Sequence, residues 1–264
     1  MTTIIHPELS YTVQGIFMTI YNKHGPMLQE EIYEKLIVHL MNKVGLLGQS
    51  QEEFPLLYKD VHIETFRLDV ALLPKLLIEI KVVPRLEPLH LAQAITYLKV
   101  TGADLAIVVN FGGPSLEFER VPNFISQKRP DLALPATPDQ TDLLYPELTG
   151  EIRRGLYEVH RELGPGFWHR VYRNAAKVEF RMNNLPCDHI LWLDIFHGGW
   201  LVGRQRCNVL VVNKKVMVTP IAVRAINEAM RGQFKAHLRR LDLKIGLLAN
   251  FHGERLEIET IRAE

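Results

Sequence analysis

Apolar residues at Leu9, Val13, Ile16, Phe17 and Ile20 recur with helical spacing, which predicts a helix from Pro7 to Tyr21. Asn22-Lys23-His24-Gly25-Pro26 supplies its stop, with Gly and Pro just past the last turn. A second helix is predicted from Gln29 to Lys43, with Ile32, Leu36, Ile37 and Leu40 facing inward. The period then shortens to two. Phe54–Tyr58 and Val61–Leu73 read as strands that meet at a Lys59-Asp60 turn, and Leu76–Val82 as a third strand beyond Pro74-Lys75. Pro88–Lys99 reads as a helix, Leu105–Asn110 as a buried strand and Leu116–Val121 as an edge strand. The core order α-α-β-β-β-α-β predicts an α/β domain, a mixed sheet flanked by helices.

The pattern occurs twice. His6-Pro7-Glu8-Leu9-Ser10 recurs as Tyr145-Pro146-Glu147-Leu148-Thr149, displaced by 139 residues. At that displacement Gly25-Pro26 meets Gly164-Pro165, Tyr33 meets Tyr172, Arg67 meets Arg206 and Asp69 meets Asn208. Beyond the third strand the displacement is 140, with Gln93 meeting Gln233 and Asn110-Phe111 meeting Asn250-Phe251. A tandem duplication is predicted, with one domain over 1–121, a linker over 122–144 holding Pro122, Pro130, Pro135 and Pro138, and a second domain over 145–264.

Composition narrows the class without naming an activity. The chain has 264 residues, 47% hydrophobic and 23% charged, as ordinary globular proteins do. No run is long and apolar enough for a membrane span, and the first residues lack a signal-peptide pattern. Cys187 and Cys207 stand far apart, which fits a reducing cytoplasm better than a disulfide framework. Residues 1–140 carry 12 Lys and Arg against 16 Asp and Glu, whereas 141–264 carry 19 against 14. The more basic half could attract phosphate backbones; solvated helix faces are the alternative.

Candidate chemistry gathers between Phe66 and Tyr97. Asp69 lies inside the run Leu68-Asp69-Val70-Ala71-Leu72, where aspartate is unusual, though Arg67 could pair with it at the surface. Ten residues on, Leu76-Leu77-Ile78-Glu79-Ile80-Lys81 puts Glu79 and Lys81 on one strand face, within reach of Asp69. An exposed sheet face of alternating charge is the alternative for that tripeptide. Two carboxylates and an amine converging at one sheet end are costly unless a cation or substrate compensates them. Magnesium and manganese accept such oxygen ligands, polarise a phosphoryl oxygen and acidify a bound water. Gln93 and Tyr97, four apart, share a helix face, and Glu30 and Tyr33 share another. Glu30 also suits a helix start, where the dipole favours acids.

Asp69, Glu79-Ile80-Lys81 and Gln93 to Tyr97 resemble the PD-(D/E)XK nuclease superfamily, and Met27-x-x-Glu30-x-x-Tyr33 is similar to its small GxxExxY group, with methionine in place of the first glycine. The resemblance implies two restriction-endonuclease-like domains. It also implies a site in which Asp69 and Glu79 hold the metal, Glu30 assists the metal or its water, and Lys81 positions the attacking water or the phosphate. Gln93 and Tyr97 would line the site, with His90 as a substrate or structural contact. The activity implied is metal-dependent hydrolysis of nucleic acid, DNA or RNA with DNA favoured, using Mg²⁺ or Mn²⁺. In the second copy His169 stands for Glu30, Asn208 for Asp69, and no acid remains within Val216–Ile221. A pseudo-nuclease half is therefore expected, forming an internal pseudo-dimer with the first; a homodimer could supply a second site. A catalytically silent nucleic-acid-binding or interaction scaffold is the alternative. Cys187, His189, His197 and Cys207 match no regular zinc spacing and are expected to be inert.

Overall fold

The computed structural model describes residues 4–123 and 144–263; most of the predicted linker over 122–144 lies outside the described residues. Contacts divide the chain into two compact units, residues 1–56 with 64–128 and residues 57–63 with 129–264. The element order is α1 (Pro7–His24), α2 (Glu30–Lys43), β1 (Gln49–Tyr58), β2 (Val61–Leu72), β3 (Leu76–Lys81), α3 (Pro88–Thr101), β4 (Leu105–Asn110) and β5 (Glu117–Pro122). It then repeats as α4 (Pro146–Leu163), α5 (His169–Met182), β6 (Cys187–His197), β7 (Trp200–Val212), β8 (Val216–Ile221), α6 (Glu228–Arg240), β9 (Ile245–Asn250) and β10 (Glu257–Arg262). Among the described residues no helix is long and apolar enough to cross a membrane.

Each sheet has five strands, ordered β1-β2-β3-β4-β5 and β10-β9-β8-β7-β6. The β3–β4 and β8–β9 pairs are parallel, because α3 and α6 carry the chain across between them. The other registered pairs are antiparallel. The first core joins Val13, Phe17 and Ile20 of α1 to Tyr33, Ile37 and Met41 of α2 and to Ile78, Ile80, Ile107 and Val109 of the sheet. Lys59-Asp60 and Gly198-Gly199 all take positive φ, as a two-residue hairpin turn demands.

Two expectations are corrected. The buried face of α2 is Tyr33, Glu34, Ile37 and Met41, so Ile32 points outward. The helix is rotated by about one position because Tyr33 has a hydrogen-bonding task inside. Its hydroxyl donates to Gly25 O at 2.7 Å and accepts from Leu28 N at 3.2 Å, and its ring stacks on Phe111. Tyr172 repeats this with Gly164 O at 2.8 Å, Phe167 N at 3.1 Å and a stack on Phe251. Each tyrosine thus fastens the helix–helix turn to the last core strand.

The inserted residue is also misplaced in the sequence alignment. Val70 pairs with Ile78 and Leu210 with Val218, so the displacement is already 140 before β8 begins. β7 has 13 residues where β2 has 12. Asn208 carries φ 52 beside a register break opposite Ile190 and Trp192. The extra residue is therefore a bulge at Cys207-Asn208 opposite Leu191, beside the place where the first copy has Asp69.

Met27 holds φ 71 at the position where the second copy has Gly166, φ 102. A side chain in the left-handed region costs about 1 kcal/mol. Met27 is exposed, so its side chain gains little to offset that cost. Met27→Gly is expected to stabilise the protein by up to about that amount, read as a higher urea midpoint at unchanged slope; a lower midpoint would refute the strain.

Candidate active site

The register of β2 on β3, continued one residue beyond the Val70–Ile78 pair, brings Asp69 opposite Glu79, and Asp69 Oδ2 accepts the Ile80 N–H at 2.7 Å. Ile78 and Ile80 enter the core with α1 and α2, so strand alternation sends Glu79 and Lys81 to the other face. Lys81 Nζ is ion-paired with Glu79 Oε1, while Glu79 Oε2 is buried and has no hydrogen-bond partner among the described residues. Glu30 opens α2, and its Oε1 accepts the Val82 N–H at 3.2 Å. That bond ties the helix start to the end of the strand that carries Glu79 and Lys81. Asp69, Glu79, Lys81 and Glu30 are thus brought to one neighbourhood.

Burial sets the electrostatics. It pushes the Asp69 carboxyl up to about 6, with the Ile80 N–H and Lys81 pulling down and the charges of Glu30 and Glu34 pushing up. Burial likewise pushes Glu79 up to about 8, reinforced by Asp69 and opposed by Lys81. Two acids that resist ionisation in this way lack a positive partner of sufficient charge. Together with the orphaned Glu79 Oε2 they fit a hard divalent cation held by two carboxylates and water. Among the described residues no three His, Cys, Asp or Glu side chains form a ready metal-holding group. The charge of Glu30 acts on both Asp69 and Glu79.

Gln93 and Tyr97 are joined to each other: Gln93 Nε2 donates to Tyr97 Oη at 2.8 Å, and the Tyr97 ring meets Phe66 edge-on. His90 accepts the Glu87 N–H on Nδ1 at 2.9 Å and so closes the start of α3, a structural contact. Asn110 holds the loop beyond β3, accepting from Val83 N at 3.0 Å and donating to Val83 O at 2.9 Å. Asn250 does the same for Val223, at 3.1 and 2.9 Å.

Glu34 is the site residue that sequence reasoning missed. It is buried, accepts a hydrogen bond from Gln51 Nε2, and adds to the field at Asp69. Its signal is the four-residue spacing from Glu30, which an inward-facing Ile32 would hide.

The second copy has lost both halves of the central contact. Thr219 stands at the Glu79 position, Ile221 at that of Lys81 and Pro220 at that of Ile80. Proline has no N–H, so the donor that Asp69 uses is gone along with the acid. Asn208 Oδ1 is left buried without a partner among the described residues. Both cysteines are free; burial raises the Cys187 thiol to about 11, and Cys207 Sγ donates to Ile190 O.

The PD-(D/E)XK nuclease superfamily model matches residues 7–121 and again 146–263. The chain belongs to that superfamily, as a tandem of two copies. Membership suggests a metal-dependent nuclease, and the superfamily's nucleases generally use divalent metals. No curated protein matches the chain. Among solved structures, the crystal structure of SSO0001 is similar at 16% identity and a TM-score of 0.25, over 40% of this chain and 60% of that one.

Proposed function

We propose that the first copy, residues 1–121, is a Mg²⁺- or Mn²⁺-dependent nuclease that hydrolyses phosphodiester bonds, DNA in preference to RNA, with one active site per chain. The half-buried Asp69 and buried Glu79 beside Lys81 are the observation that carries this reading. Asp69 and Glu79 would hold the cation, which when bound supplies a polarised phosphoryl oxygen and an acidified water. Lys81 orients that water or meets the charge developing on the phosphate. Glu30 adds negative charge at the end of β3, and Gln93 with Tyr97 lines the approach along α3. The motif Met27-x-x-Glu30-x-x-Tyr33 favours the GxxExxY group within the superfamily. Residues 145–264 are read as a pseudo-nuclease, paired with the first copy across a linker at 122–144, in the cytoplasm.

Single-site chemistry predicts nicks rather than double-strand cuts at low protein concentration. Supercoiled plasmid incubated with the full chain and Mn²⁺ should accumulate open circles before linear product, and EDTA should stop the reaction. Linear product without an open-circle intermediate would point to two chains acting together. No metal-stimulated cleavage of plasmid, single-stranded DNA or RNA would sink the reading. One observation favours a silent scaffold instead: Lys81 already neutralises part of Glu79. Salt-dependent nucleic-acid binding without cleavage would support that second reading.

A further inference from the structure

The tips of the two equivalent hairpins differ in what covers them. Residues 57–63, the tip of the β1–β2 hairpin, belong to the second compact unit. Tyr58 Oη donates to Glu179 Oε2 at 2.7 Å, and Lys59 Nζ meets Glu179 Oε2 at 2.8 Å and Glu158 Oε1 at 3.2 Å. Asn174 Nδ2 donates to Ile63 O at 2.8 Å, and both Tyr58 and Ile63 are buried. This tip is thus seated on α4 and α5, in a groove around Lys59 lined by Glu151, Arg154, Glu158, Glu179 and Asn183. The β6–β7 tip has no such seat among the described residues. It turns on Gly198-Gly199, with Phe196 paired to Leu201 and His197 to Trp200. Trp200 is 70% exposed, Phe196 62% and Val202 53%, and His197 is exposed where Tyr58 is covered. Large apolar side chains gathered at one exposed point mark an interaction surface, whereas scattered ones do not.

The first copy carries a seat of matching character. At the repeat displacement of 139, Thr12, Gly15, Thr19, Leu40 and Val44 stand where the occupied groove has Glu151, Arg154, Glu158, Glu179 and Asn183. No charge remains at these five positions. Thr12, Gly15, Thr19 and Val44 are exposed, and a side chain added at Gly15 would meet open space. Tip and seat therefore differ together: the cationic tip lies on carboxylates, and the uncharged, aromatic tip has an uncharged seat to match. We propose that the β6–β7 tip docks on the α1–α2 seat of a second copy of this chain, through the contact that the β1–β2 tip makes on α4 and α5. Trp200 is its anchor, as desolvated aromatic residues are at protein interfaces. Each chain offers one such tip and one such seat, so reciprocal docking closes the smallest assembly, a dimer. The proposal does not depend on whether the first copy cuts nucleic acid.

Sedimentation velocity of the full chain over a concentration series reads the association. The parent is expected to pass from monomer to dimer as concentration rises. Trp200→Ser removes the anchor, and Thr19→Glu restores to the seat the carboxylate that Glu158 supplies in the second copy. Each is expected to weaken the dimer by about thirtyfold or more, the loss that marks a hot-spot residue. Trp200 and Thr19 are both exposed in the single chain, so both variants should fold, with the parent's thermal midpoint at low concentration as the check. An equimolar mixture of the two variants is expected to recover part of the dimer, because the intact tip of one then meets the intact seat of the other. A parent that stays monomeric at about 100 µM, far above the micromolar end of specific interfaces, overturns the proposal, whether the tip then binds single-stranded oligonucleotide, lipid vesicles or neither. Association weakened by Trp200→Ser and untouched by Thr19→Glu overturns it as well, since the tips would then be pairing with each other.

Discussion

Asp69→Asn is expected to lower metal-dependent cleavage by about a thousandfold or more, with little change in the fold. The substitution keeps an oxygen to accept the Ile80 N–H, so the β2–β3 contact survives while the charge disappears. A neutral amide cannot replace a carboxylate at a hard cation. Removing even one preorganised electrostatic group from a hydrolytic site costs about 10²–10³ in rate, and here the ligand itself weakens. Lys81→Ala should lower the rate by about 10²–10⁴, the range for a positioned acid–base group, but through a different step. Its ammonium favours ionisation of Glu79 less than a metal's own charge would, so Mn²⁺ binding should persist or strengthen once Glu79 is released from its ion pair. Calorimetry with Mn²⁺ therefore separates the two residues: Asp69→Asn loses binding and rate together, whereas Lys81→Ala loses rate alone. Equal cleavage by either variant and the parent would remove that residue from the site.

The second copy is a natural version of the same experiment carried further. Asn208 alone would have preserved an acceptor for a backbone N–H, as Asp69→Asn does. Pro220 removes the donor as well, and the bulge at Cys207-Asn208 shifts the strand where that contact would form. The contact that Asp69 makes with the Ile80 N–H thus has no counterpart between β7 and β8. The conserved tasks are those of folding: Tyr172 on Gly164 O and Asn250 on Val223 match Tyr33 on Gly25 O and Asn110 on Val83.

Much of this was legible in the sequence because the informative residues sit on strands with short connections. A two-residue period fixes the face of each side chain, so Glu79 and Lys81 could be placed together from spacing alone. β4 was bounded correctly, its six apolar or amide positions all being buried. The first half of β1 escaped, since Gln49-Ser50-Gln51-Glu52-Glu53 has no apolar alternation and pairs by its backbone. Glu34 escaped for a related reason. Helical period identifies a face only through apolar residues, and this helix buries a carboxylate on the face that matters. The position of the inserted residue depends on strand register, which is set between strands and leaves no mark within one of them.

Without metal, the stability of the first copy should fall as pH rises, and a divalent cation should reverse the trend. Asp69 and Glu79 have folded pKa values raised to about 6 and about 8, above the ordinary carboxylate values they regain on unfolding. Between roughly pH 4.5 and 8 the folded protein therefore binds more protons than the unfolded chain. The stability these two groups contribute is complete below their unfolded pKa and is lost as pH passes through 6 and then 8. His169, His189 and His237 act oppositely, since burial lowers their pKa and favours folding as pH rises. The difference between the parent and Glu79→Gln, rather than either profile alone, isolates the carboxylate. In EDTA the parent should lose thermal midpoint relative to Glu79→Gln between pH 5.5 and 8.5, by several degrees at about 2–4 °C per kcal/mol. Mg²⁺ binds the ionised pair and must displace their protons, so its stabilisation of the parent should be small at pH 5.5 and largest at pH 8.5. Glu79→Gln should gain little from Mg²⁺ at either pH. A parent profile parallel to that of Glu79→Gln, with no pH-dependent response to Mg²⁺, would mean that Glu79 is not held protonated in the metal-free fold.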